Sequence, residues 1–404
     1  ARRLPAAWVA STYLAEGLPY SLVHQISAQL FLDLGSSLEA VGLTALYGLA
    51  WNLKFAWSPW IARVGTLRSW VLGCEAALAL AAALLVAPTA TGSLDVVARL
   101  LVVVAIAAAT HDLAVDGLYL AGLSQAEQTK YTGLRVAAYR VALLVGNGAV
   151  VALAGRTSWV TALAAFAALL GLVCAAHALW LPRPSEEAVE RPAAPAVRTV
   201  FRSYLAKPGA ALAVTFIVWF RAGDALLFAM GAALYRDLGL DTTARGMLGG
   251  ASTVASIAGS VAGSWWLGRR GLRRGLVPIA VVQSAAIPLY AWLAWARPTT
   301  PWIAACVLTE QLVAGVGTSA LMVFLMRQAA GEHKVAHFAV GTALMSWATT
   351  ALGSGSGFLA SELGFVRYFW FAFVVSVPGV LAAWAMVARP DDSAPFALRD
   401  SPAR

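Results

Sequence analysis

Apolar residues run along this chain in long stretches, separated by short polar turns and by one extended polar segment. A helix that crosses a bilayer needs roughly 20 consecutive, mostly apolar residues, and the pattern predicts twelve of them. They cover residues 5–32 (span 1), 38–60 (span 2), 69–88 (span 3), 94–121 (span 4), 127–154 (span 5), 158–181 (span 6), 208–235 (span 7), 243–267 (span 8), 275–296 (span 9), 301–327 (span 10), 334–361 (span 11) and 365–388 (span 12). The first run is too long for the core of a signal peptide and lacks a small-residue cleavage site, so it is expected to be a span. The polar segment, rich in Pro, Glu and Arg, reads as a flexible linker dividing the spans six and six. The expected organisation is an N-terminal six-helix bundle (1–181), a linker (182–207), a C-terminal six-helix bundle (208–390) and a polar tail (391–404).

Composition points to an all-α membrane protein. Of the 404 residues 60% are hydrophobic and only 12% charged, which leaves little material for a soluble domain. The 35 Gly and abundant Ala suit helices packed closely in lipid, and the 16 Trp suit membrane interfaces. The net charge of +9 sits in short loops between apolar spans, so it signals membrane orientation rather than nucleic-acid binding. Arg2, Arg3, Arg63, Arg68, Lys130, the linker, the arginines of 269–274, Lys334 and Arg389 fall on one side, which the positive-inside rule places in the cytoplasm together with both termini. Cys74, Cys174 and Cys306 lie in apolar segments, in no metal or redox spacing, and read as packing residues. Leu34-Gly35 followed by Gly42 recurs as Leu238-Gly239 followed by Gly246, a weak parallel repeat that suits two six-helix bundles of the major facilitator type.

Ionisable residues inside the spans carry the chemistry, since each costs roughly 2.5–3.5 kcal/mol to insert and marks a substrate or ion pathway. In span 1, Glu16, Tyr20 and His24 are four apart and share a helical face, and Pro19 is expected to bend the helix there. Glu16 is the first candidate for a proton site, Tyr20 and His24 for substrate contact. In span 4, Asp112 and Asp116 project from one face, and two carboxylates so close need cations. Lys54 of span 2 and Arg135 or Arg140 of span 5 are the available partners, so this group reads equally as a charge lattice for gating or as a substrate and proton site. His111 can satisfy a neighbouring helix. In the second half Arg221 and Asp224 lie in span 7, and Glu310 and Gln311 in span 10. Arg221, like Arg140, could grip an anionic group through its planar fork, or simply neutralise Asp224.

Other chemistries find little support. Met322 with Met326 and His333 with His337 have ligand spacing for a metal, but packing is the commoner role, and no metal or other cofactor is expected. There is neither a phosphate-binding glycine loop nor a hydrolytic triad, so ATP-driven transport and enzymatic activity are not expected.

Three stretches carry a family resemblance: Ala15-Glu16-Gly17-Leu18-Pro19-Tyr20, then Leu53-Lys54-Phe55-Ala56-Trp57-Ser58-Pro59-Trp60, then His111-Asp112-Leu113-Ala114-Val115-Asp116-Gly117. With His337-Phe338-Ala339 and the region from Gly353 to Phe365, they resemble the AmpG-like muropeptide permease branch of the major facilitator superfamily, related to the acetyl-coenzyme A transporters. The resemblance implies proton-driven import across the bacterial cytoplasmic membrane, with cell-wall sugar-peptide fragments or ferric siderophores as substrates. It implies functional or gating roles for Glu16, Lys54, Asp112 and Asp116, and a cavity lined by spans 1, 4, 7 and 10. One departure concerns the loop after span 2, where Ala62-Arg63 stands in place of the superfamily's usual Asp-Arg, so that Arg63 lacks its acidic neighbour. The expectation is a monomeric secondary transporter that takes up a polar, anionic small molecule with protons. A non-transporting receptor or a membrane enzyme is the reading from another class.

Overall fold

The computed structural model describes residues 5–182, 197–330, 334–389 and Leu398. Most of the expected linker, most of the expected tail, Arg2, Arg3 and His333 lie outside the described residues. Within them the chain is helical, with no strand. Among the described residues eight helices are long and apolar enough to cross a membrane. The last, Ala336–Val387, is two spans joined at Gly364, whose φ of 71° breaks the helical path. Spans 1, 2 and 8 bring the total to the expected twelve. Spans 1 and 2 are divided into shorter helical pieces, whereas span 8 is one helix, Thr242–Arg270, carrying Arg245, Arg269 and Arg270.

The irregular turns have sequence causes only in part. Span 1 runs as a regular helix from Pro5 to Ser21, straight through Pro19, and then widens into a π turn at Leu22–Ile26. The expected disruption therefore falls one turn later and takes in His24. Span 2 alternates α and 3₁₀ segments, with a 3₁₀ turn at Lys54–Ala56 just before Ser58-Pro59. Proline has no N–H to donate and disfavours helical geometry at the residue before it, so the ladder is weakened there. Span 5 carries a second π turn at Val145–Val150, over the Gly146-Asn147-Gly148 run.

The weak sequence repeat has a matching backbone. Gly35 and Gly239 both adopt positive φ, 82° and 88°, after the helices of spans 1 and 7. In each case the next residue closes the same ring: the Ser36 N–H donates to Phe31 O at 2.9 Å, and the Leu240 N–H to Tyr235 O at 3.0 Å. This glycine stop satisfies carbonyls that a helix end leaves open.

The chain forms two compact units: Ala1–Pro192 with Tyr235–Gly250, and Ala193–Leu234 with Ala251–Arg404. Tyr235–Gly250, from the second half of the sequence, thus packs with the first unit. In that unit Trp8, Tyr13, Val71, Val115, Leu118 and Tyr119 build a core among spans 1, 3 and 4. In the second unit Phe216, Phe220, Leu276, Leu321, Phe324 and Ala383 do the same for spans 7, 9, 10 and 12. A short amphipathic helix, Val197–Leu205, seats Val200 and Tyr204 against Val340 while Phe201 and Leu205 stay exposed. Lys207 follows it and donates to the carbonyls of Gln328 (2.5 Å) and Ala330 (2.9 Å) at the end of span 10, and its burial lowers its pKa below the ordinary lysine value.

Spans 1 and 5 touch at Gly17, where a Cβ would lie 2.7 Å from the Ala142 Cβ and 2.9 Å from the Tyr139 carbonyl oxygen. Such close approach is how helices associate in lipid, where apolar burial gives no drive of its own. Gly17→Val should therefore cost roughly 1–3 kcal/mol by overpacking, seen as a lower unfolding midpoint of the purified protein in detergent; an unchanged midpoint would show that the two helices separate freely.

Candidate functional site

Lys54, on the 3₁₀ turn of span 2, forms an ion pair with Asp112 of span 4. Asp112 is buried, while the Lys54 side chain keeps 29% of its surface. One turn on, Asp116 accepts a hydrogen bond from the Tyr13 hydroxyl at 2.7 Å and pairs with Arg135 of span 5 at 3.6 Å. Arg135 also lies over the rings of Tyr13 and Tyr119, 4.6 and 5.2 Å from their centroids, so three groups fix its position. Glu16 lies close enough to Asp112, Asp116 and Lys54 to feel their charges. Its Oε2 is buried with no hydrogen-bond partner among the described residues. Five titratable side chains from four helices thus meet in the first unit, three carboxyls against two cations. The group therefore holds one carboxyl in excess of its cations.

Beside this group sits an aromatic cluster. Tyr20 stacks on His24 with centroids 4.0 Å apart, and Trp51 and Tyr139 approach the Tyr20 ring at 5.3 and 5.8 Å. Arg140 follows Tyr139 in span 5, is half-buried, and makes no ion pair or hydrogen bond among the described residues. A half-buried guanidinium without a carboxylate is a ready receptor for an anionic group.

The second unit holds its own polar set. Arg221 donates to Asp224 at 2.9 Å, and Asp224 also accepts from Gln283 of span 9. Glu310 accepts from Tyr290 at 3.2 Å and from its neighbour Gln311 at 2.9 Å. Arg221 therefore neutralises Asp224 here, in contrast to Arg140. Arg63 is exposed at the end of span 2.

Two polar centres had not stood out in the sequence. Asp33, at the end of span 1, is paired with Arg245 and accepts from Thr242 (2.6 Å) and Trp159 (2.9 Å), and Arg245 also donates to Gln29 at 2.6 Å. Arg245 is 2% exposed. Glu75 of span 3 meets His111 and His177. The signal that singles out Glu16, an ionisable residue within an apolar run, applies equally to Glu75 and His177. Asp33 and Arg245 lie at span ends, where charges are commonplace and no such signal exists.

No family model matches the chain. It is 27% identical over 376 residues to the anhydromuropeptide permease of Escherichia coli (strain K12), covering 91% of this chain and 76% of that one. An uncharacterised protein of Haemophilus influenzae is 24% identical over 390 residues, with 92% of each chain covered. Among solved structures, a bacterial homologue of the lysosomal transporter Spinster superposes with a TM-score of 0.74 at 13% identity, covering 98% of both chains. A D-xylose–proton symporter does so at 0.72 and 11% identity, again over 98% of both. The fold is that of the major facilitator transporters, and the resemblance to AmpG-like permeases extends over nearly the whole chain. The protein is a multi-pass membrane protein of the transporter class, by its fold and its named relatives.

Removing one partner of the Lys54–Asp112 pair strands the other in an apolar bundle. Lys54→Met should destabilise the protein by roughly 3 kcal/mol, the low end for a buried pair because Lys54 is partly exposed. Adding Asp112→Asn should recover most of that loss in thermal unfolding, even though function is not restored. If the double variant is as unstable as the single one, the two residues do not compensate each other.

Proposed function

We propose that the protein imports a polar, anionic solute together with protons by alternating access, with cell-wall muropeptides as the substrate class. The observation that carries this reading is Glu16: a carboxyl inside a membrane span, one oxygen unpartnered, set against the Lys54–Asp112 pair. Protonation of Glu16 removes one negative charge from the group and loosens the competition of Asp112 and Asp116 for Lys54 and Arg135. Proton release restores it. Such a change in pairing gives span 4 two arrangements, as a transport cycle requires. A proton moving inward releases about 2.3 kcal/mol per 100 mV, which supports roughly fifty-fold accumulation of a neutral solute per proton.

Arg140 supports an anionic substrate, since it lacks a carboxylate partner among the described residues. The face of the Tyr20–His24 stack, with Trp51 and Tyr139 beside it, suits the apolar face of a sugar ring. The name of the permease relative, which specifies an anhydromuropeptide, agrees with both features. The same aromatic cluster favours a second reading, uptake of a ferric siderophore, in which the rings matter more than Arg140. The basic residues of the short loops support a cytoplasmic position for both termini in this reading, with a single chain as the working unit.

Proteoliposomes with a pH dye inside test this directly. Addition of an anhydro-muropeptide outside should acidify the lumen, and Glu16→Gln should abolish that acidification while leaving the protein folded. Arg140→Gln should weaken uptake of the anionic muropeptide at least tenfold, as loss of a charge-assisted bond predicts. Acidification by a ferric siderophore alone would establish the second reading, and uptake by Glu16→Gln with unchanged pH dependence would remove Glu16 from the proton role.

A further inference from the structure

Span 3 carries a carboxylate that the transport reading does not use. Glu75 is 4% exposed, and its Oε1 meets His177 Nδ1 of span 6 at 2.6 Å and His111 Nε2 of span 4 at 3.3 Å. His177 Nε2 continues to the Ser11 hydroxyl of span 1 at 2.8 Å, and Trp180 stacks on the His177 ring. Both histidines are buried, at 0% and 1% exposure. Beyond these bonds Glu75 Oε2, His111 Nδ1 and Trp180 Nε1 are buried with no hydrogen-bond partner among the described residues. Four helices of the first unit therefore converge on one polar cluster enclosed by apolar side chains.

The charge of this cluster decides what it can hold. With Glu75 ionised and both rings neutral, it carries one negative charge in a site closed to solvent, which is a costly state. One added proton, on a ring or on the carboxyl, makes it neutral; a second makes it positive and costly again. Among the described residues no Lys or Arg pairs with Glu75. Cys74 on span 3 and Cys174 on span 6 also feel its charge, and a thiol cannot supply a positive one. Arg68 is turned to the carbonyls of Ala178 and Leu181, and Asp112, next to His111 in the chain, is occupied by Lys54. Among the described residues no set of three or more His, Cys, Asp or Glu has the arrangement to hold a metal ion. The ligand that fits is a proton.

We propose that Glu75, His111 and His177 form a proton-binding site, separate from the Glu16 group, that holds one proton at neutral pH. Span 4 links the two centres through consecutive residues, His111 facing Glu75 and Asp112 facing Lys54. Loading the Glu75 site alters the charge one residue away from the ion pair on which the other site depends. The site stands whether or not uptake is coupled to protons at Glu16.

The test uses the full chain in lipid nanodiscs at neutral pH, with ¹⁵N-labelled histidine. The sequence has five histidines, so single His→Gln substitutions assign each ring. The expected result is one proton at the cluster: an imidazolium at His111 or His177, or a protonated carboxyl band in the infrared. The near-isosteric Glu75→Gln should abolish that signal and leave the other rings unchanged. Two neutral rings together with no carboxyl band that Glu75→Gln removes would overturn the proposal, as would an imidazolium that survives Glu75→Gln. The wild-type spectra alone decide against the site if neither form is present, so a misfolded variant does not block the test. Because these spectra require no transport, the Glu16 reading can fail in proteoliposomes while this one stands, and the reverse.

Discussion

Hydrocarbon offers an ionised group no water, so each charge within the bundle needs a partner of its own, and the Lys54–Asp112 pair is where this constraint is most concentrated. Without Lys54, Asp112 and Asp116 would stand four residues apart on one helical face with only Arg135 to divide between them. With it, each aspartate has its own cation, and the Tyr13 hydroxyl completes the set around Asp116. The same logic governs the second unit, where Arg221 and Gln283 are spent on Asp224, and Tyr290 and Gln311 on Glu310. Some groups of the first unit stay outside this matching: Glu16 Oε2, Glu75 Oε2 and His111 Nδ1 are buried with no hydrogen-bond partner among the described residues.

Backbone irregularity is distributed in the same way. The π turns at Leu22–Ile26 and Val145–Val150 and the 3₁₀ turn at Lys54–Ala56 all belong to the first unit, and the first and last of them carry His24 and Lys54. A π turn inserts one residue into the helical ladder and redirects the side chains that follow, a feature common at functional sites. The aromatic stack of Tyr20 on His24 straddles the first of these turns. In the second unit the helix Thr300–Gln328 carries its polar pair without such a break.

Span 4 is the helix on which these features meet. Within six residues it presents His111 to Glu75, Asp112 to Lys54 and Asp116 to Tyr13 and Arg135, so its faces engage spans 1, 2, 3 and 5 through polar contacts. A shift or rotation of this helix breaks several charge pairs together, and a proton added to any of them changes the balance for the rest. The small residues between, such as Ala114 packed against the Trp8 and Val115 core, leave little slack to absorb such a shift locally.

The helical nature of the spans and the positions of Glu16, Lys54, Asp112 and Asp116 inside them were legible in the sequence, whereas the packing of Tyr235–Gly250 with the first unit was not. Hydrophobic length is a local property, and an ionisable residue in an apolar run stands out wherever it occurs. Local bonding likewise sets the twin glycine stops at Gly35 and Gly239, so their repeat showed in the chain itself. Tertiary structure alone decided which charges meet. Arg135 and Arg140 are five apart on one helix and chemically identical, yet only Arg135 is clamped by Asp116 and two tyrosines. Glu75, His111 and His177 come from three helices, and the chain of Asp33 to Arg245 joins residues more than 200 positions apart. Such pairings depend on helix rotation and depth, which are set by packing at close contacts such as Gly17 against span 5 and by no pattern along a single helix.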